Sequence, residues 1–107
     1  MKPTELTVKN FDEKMSNGRI AVVRFWAVWC APCRMVAPTF EKLAEQMSDK
    51  AFFGEVNIDQ APELAERYGI RSIPTTLVLK EGERIDGMVG VASLSGFTEM
   101  VERSLKV

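Results

Sequence analysis

The chain contains no histidine, and its only two cysteines are Cys30 and Cys33. A structural zinc site needs four ligands, so these two thiols could supply at most half of one. An iron–sulfur cluster would be short of ligands in the same way. Any thiol chemistry must therefore take place between Cys30 and Cys33, with no metal expected. A metal or cluster carrier stays an alternative only if carboxylates or a second chain complete the ligand set.

The sequence also lacks an excess of charge of either sign and a long apolar run. Its 14 basic and 15 acidic residues are intermixed and give a net charge of −1, which argues against nucleic-acid and membrane-surface partners. No apolar run approaches the roughly 18 residues of a membrane span, and Met1–Glu5 lacks the apolar core of a signal peptide. We therefore expect a cytoplasmic protein, in which a Cys-x-x-Cys pair indicates redox or metal chemistry.

Apolar residues make up 46% of the 107 positions, which is sufficient for one core. The length fits a single domain over residues 1–107. The run from Ile20 to Ala27 is apolar apart from Arg24, which predicts a strand buried on both faces. An amphipathic stripe predicts a helix that begins just after Cys30, and its members are Val36, Phe40, Leu43, Ala44 and Met47.

The remaining segments extend this alternation of strands and helices. Asn10, Asp59 and Ser93 are predicted to cap three further helices, the first through a capping box with Glu13. Further strands are predicted near Leu6 and Val8, over Phe52–Ile58, and as a hairpin of Thr75–Leu79 and Arg84–Val89 around Glu81-Gly82. The order β-α-β-α-β-α-β-β-α indicates an α/β fold, with a mixed sheet of five strands flanked by four helices.

The motif Trp29-Cys30-Ala31-Pro32-Cys33 lies between the buried strand and this helix. At a helix start the Cys30 sulfur can accept free backbone N–H groups, and the helix dipole also favours its thiolate. Cys33 is expected to be more buried. Cys30 is therefore predicted to attack a substrate disulfide and Cys33 to resolve the mixed disulfide, while Trp29 and Pro32 shield the sulfur. The alternative is a pair of buried, inert cysteines.

Several stretches of the chain resemble the thioredoxin family. They are Phe25-Trp26-Ala27 with the Trp-Cys-Ala-Pro-Cys motif, Val56-Asn57-Ile58-Asp59, residues 68–75, Gly82 and Gly90. These stretches follow the family's order over nearly the whole chain. The resemblance implies the thioredoxin fold and a protein-disulfide oxidoreductase that needs no bound cofactor.

The resemblance also implies a substrate-docking surface beside the dithiol. The Ile73–Pro74 bond would be cis, and the backbone of Ile73 would pair with an extended segment of the substrate. The surface would comprise Trp29, Ile73, Pro74, Val89, Gly90 and Val91. Pro74 as an ordinary proline at a strand start is the alternative, and Trp26 is interpreted as part of the core.

Trp29 and Pro32 are expected to tune the redox properties of the dithiol. Two departures from the family pattern should tune them as well. Ala31 replaces the usual glycine, and we expect it to change the redox potential modestly. Arg24 and Glu55 stand where the family usually has a buried aspartate and a lysine, so the charge pair is reversed. A cation near Cys33 should favour its thiolate and make the dithiol a weaker reductant. Glu55 is the one carboxylate we can suggest as a base, and a purely structural ion pair is the alternative.

Together these patterns predict a monomeric reductant of protein disulfides that cycles between a Cys30–Cys33 dithiol and disulfide. The sequence has no Gly-rich nucleotide-binding motif, so electrons must come from a separate partner, a thioredoxin reductase. Two alternatives are a disulfide oxidant or isomerase on the same fold, and a non-catalytic binding module that uses the apolar surface around Trp29.

Overall fold

The computed structural model describes residues 2–107. Five strands and four helices follow one another in the predicted order, which confirms the α/β fold. Their bounds are β1 Thr4–Leu6, α1 Phe11–Met15, β2 Ile20–Trp26, α2 Ala31–Met47, β3 Phe52–Asn57, α3 Pro62–Arg67, β4 Thr75–Lys80, β5 Glu83–Val89 and α4 Leu94–Ser104. None of these helices combines the length and the apolar composition that crossing a bilayer requires.

The sheet has the strand order β1-β3-β2-β4-β5. Strands β1, β3 and β2 are parallel, whereas β4 is antiparallel to β2 and β5 is antiparallel to β4. Strand β2 is therefore central, and its residues 20–25 are all buried, as its apolar run predicts. Within it, Arg24 is aligned with Glu55 of β3 on one side and with Thr76 of β4 on the other.

Side chains of β2 alternate between two cores, one on each face of the sheet. Val22 packs with the buried stripe of α2 and with α4, whereas Val23 and Phe25 pack with residues of α1 and α3. The α2 stripe is buried as predicted, namely Val36, Phe40, Leu43, Ala44 and Met47. Helix α2 thus lies on the same face of the sheet as Val22, with its first turn at the cysteine motif.

The hairpin between β4 and β5 confirms the turn predicted at Glu81-Gly82. Both residues have positive φ, 51° and 83°, as a two-residue type I′ turn requires. The hydroxyl of Tyr68 donates to the carbonyl oxygen of Gly82 at 2.7 Å. This bond connects the end of α3 to the hairpin.

Of the three predicted helix caps, only Ser93 is confirmed, since its hydroxyl accepts the N–H of Gly96 at 3.1 Å. Asn10 does not cap α1 with its side chain, because its side-chain oxygen accepts the N–H of Thr7 instead. Asp59 does not cap α3 either, since that helix begins at Pro62 after Ala61. Strand β1 is also shorter than predicted and excludes Val8; β3 ends at residue 57.

Candidate active site

Cys30 is the N-cap residue of α2. Its backbone is extended, and its Sγ accepts the backbone N–H of Cys33 at 3.2 Å. Ala31 and Pro32 follow in the first turn, where the missing N–H of proline removes no intrahelical bond. The two cysteines form a disulfide, with their Cα atoms 5.2 Å apart. The helix start therefore directs an N–H group at the sulfur of Cys30, as the motif predicts.

The two cysteines differ in accessibility. Cys30 retains 5% of its surface, whereas Cys33 retains none. Ala31 and Pro32 are both exposed beside them. A reagent or a partner protein can therefore approach Cys30 but not Cys33.

The loop before β4 lies against Cys30. The Ile73–Pro74 bond is cis, as the resemblance implies. The carbonyl oxygen of Ile73 is 3.8 Å from Cys30 Sγ, which is a van der Waals contact because a disulfide sulfur carries no hydrogen. The N–H of Gly90 donates to the carbonyl oxygen of Pro74 at 2.8 Å. Gly90 has a φ of +96°, which glycine adopts without strain. The turn after β5 is thereby held to the loop of Ile73.

Exposed apolar side chains surround this loop. Trp29 is 65% exposed, and Val89 and Val91 are also exposed, whereas Pro74 is buried. A shallow groove of about 260 Å³ lies between Trp29 and Ile73, and its other lining residues are Ile58, Ile70, Arg71 and Ser72. The predicted docking residues thus lie around the cis-proline loop, although Pro74 contributes little surface of its own.

Asp59, predicted as a helix cap and not as a site residue, is a neighbour of the motif. Its carboxylate accepts the indole N–H of Trp29 at 2.9 Å, which orients the ring beside Cys30. Ile70, Arg71 and Ser72 were likewise not predicted as site residues. The signal for all four was their position inside the stretches that resemble the family, residues 56–59 and 68–75.

Arg24 and Glu55 meet beneath the dithiol. The Nε and Nη2 groups of Arg24 donate to the same Glu55 oxygen, Oε2, at 3.0 and 2.6 Å. Its Nη1 donates to the backbone carbonyl oxygen of Cys33 at 3.0 Å. The side chain of Arg24 is 3% exposed and that of Glu55 20%. The cation thus contacts the main chain of Cys33, and its guanidinium also lies within 5.6 Å of the ring centroids of Trp26 and Phe40.

Acidic and thiol side chains do not converge elsewhere in a way that suggests a metal centre. Over residues 2–107, no group of three or more such side chains is arranged to hold a metal ion.

Comparison with known proteins shows the family to which the chain belongs. The family model described as Thioredoxin matches residues 2–103. The chain belongs to the thioredoxin family. It is 41% identical over 101 residues to Thioredoxin 1 of Synechococcus elongatus, with 94% of each chain covered. It is 46% identical over 87 residues to a thioredoxin of Chlorobaculum thiosulfatiphilum, covering 80% and 81%. It is 37% identical over 105 residues to a thioredoxin of Staphylococcus saprophyticus, covering 98% and 100%.

Membership of the thioredoxin family gives the Cys30–Cys33 pair its chemistry. The pair is a redox-active disulfide, and the chain is a protein-disulfide oxidoreductase. It reduces protein disulfides by thiol–disulfide exchange. The inert-cysteine alternative and the oxidant alternative are not favoured by these relatives.

Proposed function

We propose that Cys30 is the nucleophile of this reduction and that Cys33 is the resolving thiol. The observation that carries the proposal is the placement of the two sulfurs at the start of α2. Cys30 accepts a backbone N–H and keeps an accessible edge, whereas Cys33 is fully buried. The N–H group and the helix dipole both favour a thiolate at Cys30 in the reduced protein.

The cycle has two displacement steps. The Cys30 thiolate attacks one sulfur of the substrate disulfide, forms a mixed disulfide and releases the first substrate thiolate. The Cys33 thiolate then attacks the sulfur of Cys30, and the second substrate thiolate leaves. Two electrons have passed to the substrate, and Cys30 and Cys33 are again joined.

Serine variants at the two cysteines test these roles with insulin as substrate. We expect Cys33→Ser to accumulate a mixed disulfide with insulin, because the second step is blocked. Cys30→Ser should form none and should show no turnover. A mixed disulfide trapped through Cys33 in the Cys30→Ser variant would reverse the assignment. Absence of turnover in the wild-type protein would instead identify a binding module.

Substrates dock on the surface around Ile73 in this proposal. Its support is the contact between the Ile73 carbonyl oxygen and Cys30 Sγ, with the exposed ring of Trp29 beside it. An extended substrate segment pairs with the backbone of Ile73, and its apolar side chains contact Trp29, Val89, Gly90 and Val91. Main-chain pairing and apolar contacts tolerate many sequences, which suits a general reductant of proteins.

Arg24, Glu55, Ala31 and Pro32 tune the dithiol in this proposal. The bond from Arg24 to the Cys33 carbonyl supports an electrostatic influence on the Cys33 thiolate. Glu55 uses only Oε2 to bind Arg24, so Oε1 is free to accept the proton that Cys33 loses, through water. Ala31 stiffens the first helical turn and shifts the potential modestly.

Glu55→Gln tests the proton transfer, because it keeps the shape of the side chain and removes its basicity. Resolution of the mixed disulfide should slow by roughly fivefold, and its formation should be unaffected. Stopped-flow reduction of a protein disulfide at two pH values separates the two steps. Equal slowing of both steps, or no slowing, would remove Glu55 from the mechanism and leave it as a structural partner of Arg24.

The protein works in this proposal as a monomeric electron-transport protein of the cytoplasm, one domain over residues 1–107. A thioredoxin reductase supplies its electrons, since the sequence carries no Gly-rich nucleotide-binding motif. A reductant of this kind needs a compartment in which such a donor keeps the dithiol reduced. Addition of a reductase with its nicotinamide cofactor should make insulin reduction catalytic in this protein. If insulin reduction still requires an added chemical thiol under those conditions, a thioredoxin reductase is not the electron donor.

A further inference from the structure

Thr76 has a buried hydroxyl that lacks a hydrogen-bond partner among residues 2–107. The residue is 1% exposed. A buried polar atom without a partner is unfavourable and uncommon in folded proteins, so it asks for an explanation. The atom is unpaired in a structure in which Cys30 and Cys33 are joined as a disulfide.

The register of the sheet places Thr76 beneath the start of α2. Thr76 of β4 is aligned with Arg24 of the antiparallel strand β2, and residues aligned in this way project from the same face of the sheet. Arg24 projects towards α2, since it donates to the Cys33 carbonyl. Val78, two residues after Thr76, packs in the α2 core. Pro74, two residues before Thr76, lies roughly 7 Å along the strand, towards the dithiol.

We propose that the Thr76 hydroxyl is the hydrogen-bond donor for the Cys33 sulfur once the disulfide is opened, and that it thereby shifts the redox equilibrium towards the dithiol. The proposal rests on the role of Cys33 proposed above. A disulfide sulfur is neutral and a weak acceptor, whereas a thiolate accepts a charge-assisted bond that is about twice as strong as a neutral one. The three bonds that Arg24 makes go to Glu55 and to the Cys33 carbonyl. None of them supplies a donor to the sulfur.

The chemical step balances with glutathione as the reductant. One glutathione thiolate bonds to the Cys30 sulfur, the S–S bond breaks, and its electron pair leaves on Cys33 as a thiolate. A second glutathione thiolate then displaces Cys30, which gives the protein dithiol and one glutathione disulfide. The protons lost by the two glutathione thiols pass to the protein sulfurs or, for a sulfur that stays a thiolate, to the buffer. Thr76 keeps its own proton throughout and only shares it with the Cys33 thiolate.

Thr76→Val and Thr76→Ser test the proposal as a matched pair. Valine keeps the shape and loses the hydroxyl, whereas serine keeps the hydroxyl. In glutathione buffers at one fixed pH, Thr76→Val should shift the equilibrium towards the disulfide by roughly threefold to tenfold. Thr76→Ser should stay within about twofold of wild type. Urea unfolding should show that valine stabilises the disulfide form more than the dithiol form, because the hydroxyl is unpaired only in the former.

Two results would overturn the proposal in distinguishable ways. If wild type equilibrates with glutathione and Thr76→Val leaves that equilibrium unchanged while stabilising both forms equally, the hydroxyl has no part in the redox reaction. If the wild-type disulfide itself does not open reversibly in these buffers, the roles of Cys30 and Cys33 fail and that of Thr76 fails with them.

Discussion

Only two residues separate the cysteines, yet the two sulfurs have very different surroundings. Beside Cys30 the contacts are apolar and open to solvent, formed by Trp29, the loop of Ile73 and the turn at Gly90. Beneath Cys33 the surroundings are closed to solvent, and there the Arg24–Glu55 pair adds a charged contact to an apolar cluster. The open side follows the family's motifs, whereas the closed side departs from them. This difference suggests that partner contact and redox equilibrium depend on separate parts of the site and can be changed separately.

The largest effect should come from exchanging the charges on the closed side. The double variant Arg24→Asp/Glu55→Lys keeps an ion pair but removes the cation next to Cys33. Because the Cys33 thiolate then loses electrostatic stabilisation, we expect a stronger reductant, with the glutathione equilibrium shifted by roughly tenfold towards the disulfide. Redox titration measures this shift, and the KM for insulin should not change.

The control for this exchange is Arg24→Lys, which keeps the positive charge and loses the planar fork of donors. It should lower stability to urea while leaving the redox equilibrium near that of wild type. If the double variant leaves the glutathione equilibrium unchanged, Arg24 and Glu55 are only a structural ion pair. The closed side of the site would then not control the redox equilibrium.

A smaller effect is expected from Trp29→Ala on the open side. The variant removes exposed apolar contact area and the bond to Asp59, so the KM for insulin should rise by roughly fivefold to tenfold. Because Trp29 is 65% exposed, the free energy of unfolding of the Trp29→Ala variant should differ from that of wild type by less than about 0.5 kcal/mol. Its glutathione equilibrium should stay near that of wild type.

Two matched variants sharpen the Trp29 measurement. Trp29→Phe keeps an aromatic surface and loses only the N–H that Asp59 accepts, so its KM should rise by about twofold. Val8→Ala removes an exposed apolar side chain that is absent from the groove and should leave the KM unchanged. A large redox shift in Trp29→Ala would mean that the open side also controls the potential.

The smallest effect should come from Asp86→Asn, outside both sides of the dithiol. Asp86 of β5 accepts from Arg103 of α4 at 2.9 Å, and this bond is the main reason that the pKa of Asp86 lies below its usual value of 3.8. A carboxylate with a lowered folded-state pKa stabilises the fold above the unfolded-state pKa and loses that contribution as the pH falls through the folded-state value.

The stability difference between wild type and Asp86→Asn should therefore be present at neutral pH and disappear in strong acid. Its size should stay below about 1 kcal/mol, since this pair is partly exposed to solvent. Urea unfolding between pH 7 and pH 2 measures it. A stability difference that grows on acidification would contradict the stabilising role of the Asp86 carboxylate. A change in the glutathione equilibrium would show that Asp86 also influences the dithiol.

The regular elements were predictable because they depend on periodic burial. The apolar run of β2 and the stripe of α2 each bury a face that the sequence pattern identifies without knowledge of its neighbours. The caps were less predictable, because a short polar side chain has several possible partners. Asn10 binds Thr7 within its own turn, and Asp59 binds Trp29, which is 30 residues away.

The site was predictable where the motif itself carries the geometry. Cys30 at the N-cap and the burial of Cys33 follow from their spacing at a helix start. The contact between Arg24 and Glu55 was expected only through the family resemblance, since nothing local relates residues 31 positions apart. The unpaired hydroxyl of Thr76 could not be predicted, because a missing partner is a property of the three-dimensional surroundings.

The two edges of the sheet have a consequence for how extended chains are received. Strand β1 is only three residues long, and β5 carries Glu83, Arg84 and Asp86. Short and charged edge strands discourage other chains from adding to a sheet and polymerising. In the docking mode proposed above, an extended substrate segment pairs with the cis-proline loop, whereas the short and charged edges of the sheet discourage its addition there.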